Sequence, residues 1–343
     1  MRRITIAATL MLLLSSTTHA EDKKTYLPTE VKPAEVRYDG WDGSLILGAS
    51  MSLAQNSNMV GVTDGIGWAM GLLLKGNLGY IHGQHEWANI YNLSETYAYT
   101  SSLGDFVKTV DDLSWKSTYL YYLKRIPWLG PFGEFKLHTT MLPGHDVQSE
   151  SYTYQVTRLD GTVGPGTTNT KFRLSDPFSP MFLEESIGAF ARPLNKPAIV
   201  LEAKLGFGAK HILAAGQFSV DKVDKDTKLI TIKELDDVHQ GGPALSVGAK
   251  GSLADKKVTY NALAEVMFPV LNNQSEGDDR NAAELANVLM EAGLSFKLVS
   301  WASLDYTFRA VREPQLIDKW QVQNNLLLSF TYTLVKSRVP AKK

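Results

Sequence analysis

The chain has no cysteine among its 343 residues. This absence excludes disulfide bonds, thiolate metal ligands and a cysteine nucleophile. Its charges are nearly balanced, with 35 lysines and arginines against 36 aspartates and glutamates and a formal net charge of −1. Because a nucleic-acid-binding protein usually carries a basic surface, we expect no nucleic-acid partner.

Long apolar runs are also scarce. One short run, residues 4–14, lies near the N-terminus and is shorter than the ~20 apolar residues that a spanning helix needs. It follows two arginines and precedes a small, polar stretch, which is the order found in a secretory signal peptide. We therefore expect residues 1–20 to be a signal peptide and the polar residues 21–39 to be a periplasmic leader.

The chain does contain a regular alternation of apolar residues with small or polar ones. Between residues 65 and 82, the even positions carry Ile66, Trp68, Met70, Leu72, Leu74, Leu78 and Tyr80. Successive side chains of a strand point to opposite faces, so this spacing predicts a strand with one apolar face. Many long strands of this kind behind an export signal are typical of a transmembrane β-barrel, whose apolar face contacts lipid.

The pattern recurs about twelve times, which predicts an all-β, antiparallel transmembrane barrel of about 12 strands (roughly 10–14) over residues 40–335, followed by a basic tail at residues 336–343. Residues 281–291 also resemble the start of a helix. The predicted strands are residues 44–53, 65–82, 83–94, 108–124, 131–141, 185–192, 198–211, 243–253, 257–270, 281–298, 301–312 and 319–335.

Two long polar interruptions, residues 142–180 and 219–242, separate these strands. Outer-membrane barrels have short periplasmic turns and longer external loops, so we expect both segments outside the cell. Residues 142–180 are long enough for a hairpin of their own, and residues 229–232 can extend a strand beyond the membrane.

Aromatic residues lie near many predicted strand ends, where outer-membrane barrels carry girdles at both membrane interfaces. A soluble periplasmic β protein, either a lipocalin-like barrel or a sandwich, is the alternative, and its apolar residues would face a core. The strand length and the girdle favour the outer membrane, with its lipids as partners. The aromatic residues are Trp41, Tyr80, Trp87, Trp115, Trp128, Trp301, Tyr306, Trp320 and Tyr332.

The face opposite the apolar one supplies charges of both signs to the predicted lumen. Two interpretations remain open: a network of ion pairs that fills a narrow lumen, or a selectivity lining for a small solute. The candidate lumen-lining residues are Lys75, Glu134, Lys136, His138, Glu202, Lys204, Lys210, Lys250, Glu265, Glu291, Lys297, Asp305 and Arg309.

Catalytic and metal signals are weak. The chain has no G-x-S-x-G nucleophile elbow, and neither His138 nor His211 has a serine and an acid at recognisable spacing. His82, His85 and Glu86 are a weak metal signal without a third fixed ligand, and residues 276–279 lack the ligand spacing of a calcium loop. We therefore expect no catalytic residue, cofactor or metal, although a barrel enzyme acting on membrane lipids remains an alternative.

Three segments resemble a family of uncharacterised outer-membrane β-barrel proteins known only as a domain of unknown function. They are VKTVDDLSWKSTYLYYL (107–123), FSPMFLEESIGAFARP (178–193) and GGPALSVGAKGSL (241–253). The resemblance carries no catalytic residues. Outer-membrane barrels usually end on an aromatic residue that the barrel assembly machinery reads, and we expect that machinery as a partner. This chain departs from the usual aromatic ending. Phe330 and Tyr332 lie in the last strand, but the chain continues through KSRVPAKK. The expected function is a narrow channel or a structural barrel of unknown substrate.

Overall fold

The computed structural model describes residues 39–56, 65–100, 106–273 and 279–335. The predicted signal peptide, the leader up to residue 38 and the basic tail lie outside these residues. The strands of the described residues are β1 (Gly40–Asn56), β2 (Gly65–His82), β3 (His85–Thr100), β4 (Phe106–Tyr121), β5 (Leu129–Thr139), β6 (Gly144–Thr157), β7 (Thr167–Ser175), β8 (Met181–Lys196), β9 (Ile199–Leu213), β10 (Phe218–Asp224), β11 (Leu229–Glu234), β12 (Val238–Leu253), β13 (Val258–Met267), β14 (Leu271–Asn272), β15 (Asn287–Val299), β16 (Ala302–Glu313) and β17 (Ile317–Val335).

Twelve of these strands form one closed antiparallel barrel. Their order is β1-β2-β3-β4-β5-β8-β9-β12-β13-β15-β16-β17, and β17 pairs back with β1. The two-residue β14 adds to one end of β12. Closure matters because an open sheet edge in lipid would leave backbone groups without hydrogen-bond partners. The predicted barrel of about twelve strands is confirmed.

The two ends of the barrel differ. At one end, the connections β2–β3, β4–β5, β8–β9, β12–β13 and β15–β16 are short, and we call this the short-turn end. The opposite, long-loop end carries the connections that contain β6 and β7, β10 and β11, and β14. Among the described residues, no helix is long and apolar enough to cross a membrane.

The two long polar segments form a second sheet, which we call the loop sheet. Its order is β10-β11-β6-β7, with β11 parallel to β6 and the other pairs antiparallel. Tyr152, Tyr154, Leu174, Ile230 and Ile232 are its buried core. The expected hairpin is present as β6 and β7, whereas residues 229–232 belong to β11, a separate strand of the loop sheet, and do not extend a barrel strand. The two segments lie at the same end of the barrel.

The outer wall of the barrel is apolar, as the alternation predicts. Leu72 and Leu205 are each 63% exposed, and Tyr332 is 70% exposed. Their sequence neighbours face the other way: Leu73 and Lys204 are 8% exposed. An apolar outer face around a polar interior is the reverse of a soluble β fold, so the soluble alternative does not fit.

Several predicted boundaries are wrong. Residues 185–192 are only the middle of β8, because the ladder with β9 continues through an irregularity between Ala191 and Leu194. Residues 238–242, predicted as loop, begin β12. The predicted strand at 83–94 is displaced, since β3 reaches Thr100.

The predicted helix start at residues 281–291 is a single turn. The Asn281 side chain accepts hydrogen bonds from the backbone N–H groups of Ala283 and Glu284, and the Glu284 carboxylate accepts the Asn281 N–H. This is a capping box. The helical turn does not continue, because β15 begins at Asn287.

Candidate functional site: the charged barrel lumen

Strand register puts the candidate lumen residues on the inner wall. In β9, Glu202, Lys204 and Lys210 alternate with the exposed Leu205 and Phe207. Ladder partners point to the same wall, so the inward orientation extends to the pairs Lys204–Ser246, Ser246–Glu265 and Glu291–Arg309. The residues placed on this wall are Lys75, Glu134, Lys136, His138, Glu202, Lys204, Lys210, Lys250, Glu265, Glu291, Lys297, Asp305 and Arg309. Whether they line a solute path stays a prediction.

Glu134 on β5 is the most densely paired carboxylate of the lumen. Its oxygens lie 2.5 Å from the Nζ of Lys204, 3.2 Å from that of Lys116 and 3.5 Å from that of Lys136. Thr118 donates a further hydrogen bond to it at 3.0 Å. The Glu134 side chain is only 4% exposed, and a carboxylate buried this far needs such partners because its desolvation costs several kcal/mol.

Two ion pairs cross the lumen between strands that are not neighbours. Lys136 on β5 contacts Glu265 on β13 at 2.7 Å, and Lys210 on β9 contacts Glu313 on β16 at 2.5 Å. Each pair joins strands four places apart in the twelve-strand order. Glu184 links them, since it lies 3.4 Å from Lys136 and 3.1 Å from Lys210. We call the Lys136–Glu265 and Lys210–Glu313 contacts the crossing ion pairs, and they narrow the lumen.

A second cluster lies toward the short-turn end, around Arg192. Its guanidinium contacts Glu202 at 2.5 Å and Glu86 at 3.3 Å, and it donates to the Tyr122 hydroxyl at 2.6 Å. Tyr122 in turn donates to Glu86 at 2.8 Å. The planar guanidinium suits a site with several acceptors, so Glu86 and Glu202 are both compensated by Arg192.

The remaining candidates differ in their partners. Glu291 accepts a hydrogen bond from Arg309 at 3.2 Å, and Asp305 accepts from Ser295 and Ser303. Lys297 is exposed at the short-turn end of β15, and Lys250 faces the lumen from β12.

Two apolar clusters flank the charged layer along the barrel axis. Toward the short-turn end, the inner wall carries Leu120, Tyr122, Phe132 and Phe190. Toward the long-loop end it carries Phe182, Ile212, Ala214 and Val238, against which Leu235 and Leu316 pack. Leu316 comes from the β16–β17 connection, so side chains from distant strands meet at this mouth. Apolar constrictions can gate a pore by excluding water.

The described residues enclose two cavities inside the lumen, with volumes of about 340 Å³ and about 120 Å³. Lys136, Glu184, Lys204 and Glu313 line both of them, so the crossing ion pairs lie between the two. The larger cavity also reaches Lys116, Lys250 and polar uncharged side chains.

The histidines do not assemble a catalytic relay in the described part of the chain. The Nδ1 of His138 lies 2.6 Å from Asp112, but Ser114 donates to the same aspartate rather than to the histidine. His211 faces His239, with their Nδ1 atoms 2.9 Å apart. His239 is a contact that sequence spacing could not indicate, because the two residues meet only through the β9–β12 register.

The fold separates the residues of the weak metal signal at 82–86. His85 contacts the Tyr119 hydroxyl on the outer wall, whereas Glu86 faces Arg192 in the lumen. Neighbouring residues of one strand point to opposite faces, which separates these two. No group of three or more metal-ligating side chains occurs within residues 39–56, 65–100, 106–273 and 279–335.

Sequence analysis missed five members of the charged network: Lys116, Glu86, Glu184, Arg192 and Glu313. Glu184 and Glu313 lie one residue beyond the predicted bounds of their strands, so extending the alternation would have found them. Arg192 closes the predicted strand at 185–192, where the ladder is irregular.

The closed barrel, its apolar outer wall and its charged interior meet the physical requirements for spanning lipid with strands. The chain is an outer-membrane β-barrel protein. No protein-family model matches it, and no curated protein matches it significantly, so the resemblance to the uncharacterised family stays a prediction.

Several solved structures are similar to this chain over most of its length. An outer membrane channel from Pseudomonas putida F1 aligns over 89% of this chain and 100% of its own, with 12% identity and a TM-score of 0.38. The translocator domain of the autotransporter NalP from Neisseria meningitidis aligns over 87% and 90%, with 10% identity and a TM-score of 0.36. The P. putida toluene transporter TodX aligns over 86% and 90%, with 11% identity and a TM-score of 0.33. The assignment above rests on this chain's own strand pairing and outer wall.

Proposed function

We propose that this barrel is a narrow channel for small polar solutes, narrowed by the crossing ion pairs. The observation that carries the proposal is the pair of cavities within the lumen, about 340 Å³ and about 120 Å³, separated by Lys136, Glu184 and Glu313. A structural barrel of this width could fill its interior with side chains. This barrel keeps a cavity on each side of the contacts made by Lys136, Glu184 and Glu313.

The charges of the lumen support passage of polar rather than apolar solutes. Each crossing contact joins an ammonium to a carboxylate, and such a pair can exchange its partner for a solute group or water when the side chains move. A buried ion pair is weak evidence for stability, because desolvation offsets much of its attraction. Its presence across an open space therefore favours a gating role.

Solute uptake into liposomes tests the proposal. The folded protein is reconstituted into vesicles, and swelling is recorded with glycine, arabinose and raffinose. Glycine and arabinose should enter and raffinose should be excluded, because the cavities are small. The double variant Lys210→Gln/Glu313→Gln removes one crossing pair without changing the net charge, and it should swell faster in glycine. Absence of swelling in every solute, for both proteins, contradicts the proposal.

A further inference from the structure

We infer that the larger lumen cavity binds a small organic anion through Lys250 and Lys116. This inference rests on the proposed function and specifies the solute class for the same lumen. Lys250 lies on the inner wall of β12, opposite Val200 of β9 and Asn261 of β13, and it lines the larger cavity.

Lys250 has no carboxylate within 4 Å among the described residues. The acids around it, Glu86 and Glu202, are both held by Arg192 at 3.3 Å and 2.5 Å. Its ammonium therefore faces the cavity without an ion-pair partner among the described residues, although an unpaired charge inside a barrel is costly. An anion in the cavity would supply the missing charge.

Lys116 adds positive charge to the same cavity. It contacts Glu134 at 3.2 Å, but this carboxylate is also shared by Lys204 and Lys136. Lys136 and Lys204 have further acids, Glu265 and Glu202, at 2.7 Å and 3.3 Å. No second acid lies within 4 Å of Lys116 in the described part of the chain, so its charge is only partly compensated.

Uncharged polar groups also line the cavity. Its carboxylates each have a basic partner: Glu184 and Glu313 contact Lys210, Glu202 contacts Arg192, and Glu291 contacts Arg309. Asn261 faces Lys250 across the β12–β13 ladder, and its side-chain amide makes no hydrogen bond with a described residue. The Ser246 hydroxyl lies on the same wall. An ammonium and amide N–H groups that converge on one space suit a carboxylate, because hydrogen bonds between charged partners are the strong ones.

The cavity volume sets the size of the anion. A volume of about 340 Å³ is far above the ~10–15 Å³ that one ordered water needs. A four-carbon dicarboxylate such as succinate is therefore a suitable probe, since it fits and leaves room for bridging water.

Calorimetry on the folded, detergent-solubilised protein tests the inference. In low-chloride buffer, succinate should bind saturably, whereas its uncharged diamide and the diamine putrescine should not. Lys250→Gln and Lys116→Gln should each weaken succinate binding at least about tenfold, the equivalent of 1.4 kcal/mol. Lys225→Gln, in the exposed β10–β11 turn of the loop sheet, is the matched control and should bind as the wild type does.

A charge-reversal variant distinguishes loss of the anion site from general destabilisation of the barrel. Lys250→Glu should lose succinate binding and gain putrescine binding, which a merely destabilised barrel would not do. Heat-modifiable migration in a gel checks that each variant is folded. The inference is wrong if wild type shows no saturable succinate binding, if Lys250→Gln binds unchanged, or if putrescine binds wild type better. Binding without liposome swelling would refute the channel proposal and leave the anion site standing, and swelling without succinate binding would do the reverse.

Discussion

Lys204 and Leu205 are consecutive residues of β9 that lie on opposite walls of the barrel. The Lys204 Nζ is 2.5 Å from Glu134 inside the lumen, whereas the Leu205 side chain is 63% exposed on the outer wall. A shift of one residue in the ladder would exchange the two environments. This relationship fixes the register of β9 and makes the lipid face directly testable.

Leu205→Arg should hinder assembly. Leu205 lies midway along β9, and an arginine at the bilayer midplane of such a barrel costs about 2–4 kcal/mol. Lys204→Leu is the matched control and should fold, because Glu134 keeps Lys116 and Lys136 as partners. Both are measured by urea titration of heat-modifiable protein in vesicles. Normal folding of Leu205→Arg together with failure of Lys204→Leu would mean that the register is inverted.

Closure of the barrel predicts a specific cross-link. Ser50 of β1 and Ser329 of β17 are ladder partners on the inner wall, so cysteines at both positions should be joined by a short bifunctional thiol reagent in the folded protein. The absence of native cysteine removes background. A pair at Ser50 and Ser303 is the control, since β16 does not pair with β1.

Deletion from Leu328 onward should abolish insertion, and folding of that truncated chain would contradict closure.

The loop sheet should lie outside the cell. Lys225 is exposed in the β10–β11 turn, and Lys256 is exposed in the β12–β13 turn at the other end of the barrel. A membrane-impermeant maleimide should label Lys225→Cys on intact cells and Lys256→Cys only after the outer membrane is permeabilised. The opposite pattern would reverse the topology.

The loop sheet should depend on a buried hydrogen bond from Tyr154 to Asp146, 2.8 Å long. Tyr154→Phe leaves the buried carboxylate with one donor fewer and should destabilise the sheet by about 1.5–3 kcal/mol, seen as faster hydrogen exchange in β6 and β11. Tyr152→Phe is the control, because Tyr152 lies in the same core and its hydroxyl makes no hydrogen bond with a described residue. Equal effects of the two changes would assign the loss to packing alone.

This hydrogen bond also predicts a pH dependence. Burial, and then the Asp146 carboxylate, raise the pKa of Tyr154 above its ordinary value of 10. The stabilisation is therefore fully present below pH 10 and is lost as the pH rises through the folded-state pKa. The difference in hydrogen exchange between wild type and Tyr154→Phe should be constant up to pH 10 and shrink above it. A difference that vanishes at neutral pH would contradict this origin.

The sequence was most informative where alternation is strict. The predicted strand at 198–211 differs from β9 by two residues or fewer at each end, because charged and glycine residues alternate with apolar ones without interruption. β8 was predicted too short because its ladder is irregular near Leu194. β3 was misplaced because Asn89 and Glu95 lie at outer-wall positions and weaken its pattern.

The alternation of apolar and polar residues does not indicate which distant strands or side chains meet. β6 and β11 pair in parallel although more than 70 residues separate Thr153 from Leu229, and alternation shows a strand without showing its partner. The crossing ion pairs likewise depend on which strands face each other across the lumen. Sequence could therefore indicate that Lys136 and Glu265 point inward, but not that they meet.

Single-channel recording in planar bilayers tests the central claim most directly. Wild-type protein should give small, discrete current steps, and Lys210→Gln/Glu313→Gln should give larger ones, because the Lys210–Glu313 pair would no longer cross the lumen while Glu184 keeps Lys136. A silent bilayer for both proteins, when heat-modifiable migration shows that both are folded and inserted, would contradict the account and leave a structural barrel in its place.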